Sequence, residues 1–314
     1  MNIILSITAP VFLIIALGYL CARKKLIPAE AQKPFSLYVF YYAMPFYLFL
    51  AMAKVPHDTI VNFKYIAAFA LSMFVVAAIA GFITKRIYRR NFPSCILAMM
   101  GSCYTNSAFV GIPIIVMAYG NAAPVIVITL FQVIVVTTII LTTIEIRQKH
   151  GLLSVKALRE FPKTVLLNPI VGGSLLGIIF AWQGWQVPVL VERAGSLLGG
   201  AGIPTALFAL GLSLADRKPF THASSRKLVY LLTGLKVAVH PLFAYCAGRY
   251  LFGLSDPWLG SLTIVAAMPT AVNNFVFAQR YESFVSESSQ TVFLSSVISL
   301  FTLSSLLWLF GIGQ

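Results

Sequence analysis

Tyr104-Thr105-Asn106-Ser107-Ala108-Phe109-Val110-Gly111-Ile112-Pro113 is a polar patch followed by a glycine and a proline, set in the middle of an apolar run from about 94 to 119. This stretch should not stay a regular helix. Proline removes one donor and clashes with the carbonyl one turn earlier, while glycine admits backbone angles that other residues avoid. A second apolar run, 257 to 280, carries the same kind of interruption as Ala267-Met268-Pro269-Thr270-Ala271-Val272-Asn273-Asn274-Phe275. Irregular backbone at membrane depth is tolerated only where protein or a wet cavity surrounds it, so two such breaks predict a polar site inside a bilayer.

The rest of the chain supports that solvent. Of its 314 residues 59% are hydrophobic and 10% charged, with a mean hydropathy of +0.88; soluble domains carry about a quarter charged residues. Crossing a bilayer takes roughly 20 apolar residues. Ten runs qualify: 2–22, 35–53, 65–84, 94–119, 124–145, 165–182, 194–214, 228–251, 257–280 and 288–310. No soluble domain fits between them. The first run is preceded by no Lys or Arg and followed by Arg23, Lys24 and Lys25, which reads as a retained span rather than a cleavable signal peptide.

The formal charge of +14 suggests nucleic acid until the basic residues are placed. Arg23, Lys24, Lys25, Lys33, Lys85, Arg86, Arg89, Arg90, Arg147, Lys149, Lys156, Arg159, Lys163, Arg217, Lys218, Arg226, Lys227 and Arg280 fall on one side of the ten spans, 18 in all. Only Lys54, Lys64, Arg193 and Arg249 fall on the other, and Lys236 lies inside a span. This is the positive-inside pattern. It puts both termini on the non-cytoplasmic side of a cell (inner) membrane and argues against a nucleic-acid surface.

Prolines mark an internal repeat. Pro10 and Pro169 sit early in the first and sixth spans, Pro45 and Pro204 in the middle of the second and seventh, and Pro93 and Pro257 open the fourth and ninth. The offset between halves drifts only from 159 to 164 residues. Five spans per unit is an odd number, so the second unit, 164–314, enters the membrane from the side opposite to the first, 1–146, with 147–163 as a short cytoplasmic linker. The expected fold is all-α and integral to the membrane, with ten transmembrane helices in two inverted five-helix repeats. Paired broken helices in such repeats point to a carrier's substrate site.

Helix N-termini exposed at a break present unpaired N–H groups and partial positive charge, which favour an anion. Thr105, Asn106, Ser107, Thr270, Asn273 and Asn274 can complete its hydrogen bonds, although amides such as Asn106, Asn273 and Asn274 both donate and accept and so could instead satisfy the loose backbone; Gly111, Pro113 and Pro269 make the breaks. Lys236, close to the bilayer centre, is read either as a counter-ion for a substrate carboxylate or as a structural cation against carbonyls at the broken helices' C-terminal ends. His240, one turn further on, is a candidate proton carrier for coupling. Glu145 stands out as an acidic residue near a span interior, which leans the reading towards proton coupling or potential-driven uniport rather than sodium symport. Gln132 is a polar residue in an apolar run and is left outside the site. Gly173-x-x-x-Gly177 and Gly195-x-x-x-Gly199 read as close helix packing. Cys21, Cys95, Cys103 and Cys246 lack metal or redox spacing, the histidines form no zinc motif, and no nucleotide-binding loop occurs. No metal, cofactor or catalytic residue is expected.

The stretches N-S-A-F-V-G-I-P from Asn106, M-P-T-A-V-N-N-F-V-F-A-Q-R-Y from Met268 to Tyr281 and A-L-F-A-L-G-L-S-L-A in the seventh span make the chain resemble the auxin efflux carrier family along its whole length. Bacterial members of that family include malonate and malate carriers, and plant members export auxin. The resemblance implies a fold similar to bile-acid symporters and related antiporters, with crossed broken helices 4 and 9 beside a scaffold bundle, and makes a homodimer plausible. It places Asn106, Pro113, Pro269, Asn273 and Asn274 on the substrate cavity. The short central linker departs from the plant members, so regulation through their long hydrophilic loop does not carry over. The expectation is a secondary transporter of a small organic anion working by alternating access. An anion channel using the same breaks is the competing reading, and an intramembrane enzyme lacks a convincing constellation of reactive groups.

Overall fold

Polar caps and prolines set where the helices begin. Asn62 Oδ1 accepts from the Tyr65 N–H at 3.1 Å, and Asn91 Oδ1 from the Ser94 N–H at 3.0 Å with Pro93 in the same first turn. Asn168 Oδ1 accepts from the Ile170 and Val171 N–H groups just ahead of a helix that starts at Pro169. Asparagine before the first turn and proline within it are the favoured chemistry at a helix start. Gly120 and Gly184, at φ +69° and +66°, end two helices in the left-handed region that a side chain would strain.

The computed structural model describes residues 2–54, 62–120, 123–150, 168–215 and 223–311. Its helices are α1 (Asn2–Arg23), α2 (Ala29–Ala53), α3 (Phe63–Arg86), α4 (Phe92–Cys103), α5 (107–119), α6 (123–150), α7 (Pro169–Gln183), α8 (Val189–Ala215), α9 (223–251), α10 (Trp258–Ala267), α11 (Asn273–Arg280) and α12 (Val285–Leu309). Among the described residues there is no strand, and six helices are long and apolar enough to cross a membrane. The linker expected from 147 is still helical as far as His150, and its remainder, with Lys156, Arg159 and Lys163, lies outside the described residues. Arg217 and Lys218 do so as well.

Wide π turns interrupt several helices. Three of them, Val39–Ala43, Ser107–Gly111 and Leu235–Val239, each end two residues before a proline, Pro45, Pro113 and Pro241 respectively. A wider turn gives room to the proline ring and re-routes the hydrogen bond its nitrogen cannot make. The proline pairs read as a repeat differ locally. Pro93 and Pro257 both stand at the start of a broken helix, whereas Pro10 lies inside α1 and Pro169 opens α7; Pro204 sits within the continuous α8.

Glycines bring one group of helices into backbone contact. A Cβ at Gly173 would lie 2.5 Å from the Pro45 carbonyl oxygen, and one at Gly177 would lie 2.5 Å from that of Phe49, so α7 presses its glycine face on α2. On α8, a Cβ at Gly199 would meet Tyr47 Cα at 3.0 Å and one at Gly195 would meet Leu50 Cδ1 at 3.0 Å. The packing reading of both glycine pairs therefore holds. Helix α2 is clasped between α7 and α8, and α1 in turn meets α8 where a Cβ at Gly18 would fall 2.2 Å from the Phe208 oxygen. Helices α3, α4, α9, α10, α11 and α12 pack on one another around a core that includes Phe69, Leu97, Met100, Phe275 and Phe277.

Candidate substrate cavity

Helix α4 stops at Cys103, and Tyr104 is extended at φ −78°, ψ 114°. Helix α10 stops at Ala267, with Met268 extended at ψ 151°. The two unwound segments run antiparallel and pair with each other through Thr105 and Thr270. The Asn106 N–H donates to the Pro269 carbonyl at 2.8 Å and the Ala271 N–H to that of Tyr104 at 3.1 Å. Each break thus supplies the other with partners for backbone groups that a membrane interior would leave stranded.

Side chains complete the repair. Gln132 Oε1 accepts from the Thr105 N–H at 2.9 Å and from its hydroxyl at 3.1 Å, while Gln132 Nε2 donates to the Thr105 carbonyl at 3.1 Å and to Ser107 Oγ at 3.2 Å. On the other break, the Thr270 N–H donates to Ser295 Oγ at 3.1 Å, and the Thr270 hydroxyl to the Gly101 carbonyl at 2.7 Å. Asn274 is fully buried and donates to Ser288 Oγ at 3.3 Å; its Oδ1 has no partner among the described residues. Lys236 Nζ donates to the Ala266 carbonyl at 2.6 Å and lies 3.3 Å from His240 Nδ1. The His240 ring rests edge-on against Phe69.

A cavity of about 300 Å³ opens beside the crossing, at the lower end of the range of about 300 to 1,000 Å³ usual for small-molecule sites. Thr105, Asn106, Ser107 and Asn273 form its polar end. Met44, Tyr47, Leu48 and Met52 of α2 face Leu130 and Val133 of α6 along its walls. Lys54, more than half exposed, stands at its rim and is paired at 2.6 Å with Glu192 of α8. The helices α5 and α11 begin at this polar end; the Asn274, Phe275 and Val276 N–H groups of α11 are taken up by the Ala271 and Val272 carbonyls, so the anion-favouring feature of its start is the end of the helix dipole rather than a set of free donors.

Four residues singled out in the sequence are therefore brought to one wall, namely Thr105, Asn106, Ser107 and Asn273. Thr270, Asn274 and Pro269 stand behind it in the crossing, and Gly111 packs towards Val125, whose Cγ2 a Cβ would meet at 2.8 Å. Pro113 is in the first turn after the π turn of α5. Lys236 and His240, both buried, lie behind α10 and outside the cavity wall. The sequence reading missed Tyr47, Thr129 and Lys54 on the wall, and it set aside Gln132, whose isolation in an apolar run was the available signal.

The opposite end of the molecule is tied shut. Gln279 Nε2 donates to Gln32 Oε1 at 2.7 Å, and Lys33 pairs with Glu282, whose carboxyl this hydrogen bond and charge hold below the usual carboxylate range. Arg90 Nη2 and the Ser225 hydroxyl both donate to Glu287, at 2.8 and 2.9 Å. Glu145 accepts from the Tyr281 hydroxyl at 3.0 Å and from Asn168 Nδ2 at 3.1 Å. Glu287 is a buried acidic side chain that the sequence reading passed over at the edge of a span.

Six helices long and apolar enough to cross a membrane, with two shorter apolar helices broken and crossing each other beside a solute-sized cavity, define a multi-pass helical membrane protein. Residues 3–307 match the family described as membrane transport protein, and the chain belongs to that family. A Rhizobium meliloti protein named "Putative malonate transporter" is 26% identical over 99% of this chain and 97% of its own length. Auxin efflux carrier component 5 of Arabidopsis thaliana is 24% identical over 83% of each chain, and component 8 is 23% identical over 95% and 94%. The resemblance read from the two breaks thus holds along the chain.

Proposed function

We propose that the protein is a secondary transporter that binds a small organic anion, a carboxylate such as malonate, malate or an auxin-like acid, at the crossing and carries it by alternating access. The observation that carries this reading is the convergence of Thr105, Asn106, Ser107 and Asn273 with the starts of α5 and α11 on one cavity. Hydroxyl and amide donors beside two helix N-termini favour negative charge. The names of the relatives support the same class of solute.

In this reading the helices make ten spans, α4 with α5 and α10 with α11 each counting as one, arranged as two inverted units, 1–146 and 164–314. The basic loops put the end bearing residues 87–91 in the cytoplasm, so the cavity faces the non-cytoplasmic side of the inner membrane. Lys236 takes the structural one of its two expected roles: its ammonium offsets the carbonyl end of α10 from behind the wall. The linkage of His240 to that ammonium makes it a candidate for coupling through the same helix end.

Counterflow of labelled malonate, malate or indole-3-acetate into proteoliposomes tests the proposal. A carrier gives saturable uptake accelerated by unlabelled solute inside, which a channel does not. Asn106→Ala or Asn273→Ala should lower flux by about ten- to a hundredfold, the loss expected when a charged ligand forfeits a hydrogen bond or two, while the protein still inserts and purifies. Full activity in both variants contradicts the site.

A further inference from the structure

Helix α11 begins on the cavity with Asn273 and ends at Arg280. Seven residues are two turns of α-helix, so Arg280 lies on the same face as Asn273, about 10 Å further towards the tied end. Helix α2 runs alongside it antiparallel, with Gln32 and Lys33 opposite Gln279 and Glu282 and Phe40 opposite Phe277. Its Met44 and Tyr47 line the cavity, and the next turn towards the tied end presents Phe40 and Tyr41. The Arg280 side chain is partly exposed, and its guanidinium lies against three rings there, with centroids at 5.8 Å for Phe40, 5.4 Å for Tyr41 and 5.6 Å for Tyr281. The Phe40 ring also abuts Phe277 of α11 edge-on at 5.9 Å, closing the seam between the cavity and Arg280.

The charge of this arginine feels the Glu282 carboxylate two residues on but is not tied up in an ion pair. Among the described residues no carboxylate pairs with it, and its Nε is buried with no hydrogen-bond partner. Nearby ties are made by other groups, Gln279 to Gln32 and Lys33 to Glu282. Aromatic faces stabilise a cation while leaving its N–H donors unused, and a guanidinium's planar fork matches a carboxylate. A cation at a helix C-terminus also suits the dipole, but that role requires neither the ring contacts nor the placement on the cavity-lining face.

We propose that Arg280 is the anion's second station: when α2 and α11 part at the tied end, Phe40 and Tyr41 uncover the guanidinium, which binds the carboxylate on its way to or from that side. This rests on the reading of the chain as an anion carrier. Half of the transport path is then built from neutral donors at the crossing and the other half from one arginine.

The test uses the full-length protein in sealed vesicles of both orientations, with malonate, malate and indole-3-acetate as probes. Arg280→Gln should raise the half-saturating concentration at the tied end by about tenfold or more, the value of one charge-assisted hydrogen bond, and change it less than about twofold at the Lys54 end. Arg280→Lys keeps the charge at the helix end and loses the fork, so it should give a smaller shift confined to the same side; it also serves if the glutamine variant does not fold. Shifts equal at both ends, or absent at both, overturn the assignment of Arg280 while leaving the carrier reading intact. Absence of saturable wild-type flux for all three probes removes the carrier reading and this inference with it.

Discussion

Gln132 is the side chain on which the first break most depends. It bonds the N–H, the carbonyl and the hydroxyl of Thr105 and reaches Ser107, so a single amide replaces the helical partners that unwinding removed. Gln132→Leu, close in volume, strands those groups in an apolar interior. Each unsatisfied buried group costs about 1 to 3 kcal/mol, so the variant should lose at least about 2 kcal/mol, read as a lower melting temperature in detergent, and with it most transport. An unchanged melting temperature would mean that water or relaxation substitutes for the amide. Asn106 and Asn273 were legible in the sequence because amides inside apolar runs need a reason. Lys54 and Tyr47 were not, because a lysine at a helix end and a tyrosine in a span have ordinary explanations until the chain folds them onto the cavity wall.

At the scale of elements, prolines and glycines carry most of the architecture. The π turns preceding Pro45, Pro113 and Pro241 are local answers to a missing donor, and their position was foreseeable only as a disturbance, not as a wider turn. Glycine spacing was more informative. Gly173 and Gly177 let α7 lie against the backbone of α2, holding the helix that forms one wall of the cavity. Gly177→Ala would place a methyl 2.5 Å from the Phe49 oxygen. Overpacking of this kind costs about 1 to 3 kcal/mol, so its melting temperature should fall clearly, whereas Gly200→Ala, with open space around the new methyl inside a helix, should leave it unchanged or raise it slightly. Equal effects of the two changes would contradict the close approach. The boundaries of α6 show the limit of reading by hydropathy: polar residues after Glu145 ended the apolar run, yet the helix continues to His150 because backbone bonding does not depend on an apolar face.

For the whole molecule, the sequence placed two polar breaks in matching positions, and the fold brings them into one antiparallel crossing with a cavity on one side and a tied seam on the other. The crossing itself was foreseen from family resemblance rather than from spacing, since nothing in linear order says that residue 105 meets residue 270. The asymmetry between the open and tied ends has no signature in sequence. In the proposed function the crossing binds an organic anion. The most direct test is the melting temperature of the purified wild-type protein and of Asn273→Ala against a panel of carboxylates, cations and neutral solutes, because a ligand of the folded state raises its stability by mass action. At least one carboxylate should stabilise the wild type, increasingly with its concentration, and the effect should be lost in Asn273→Ala. Stabilisation by a cation or neutral solute with no response to any carboxylate would contradict this reading.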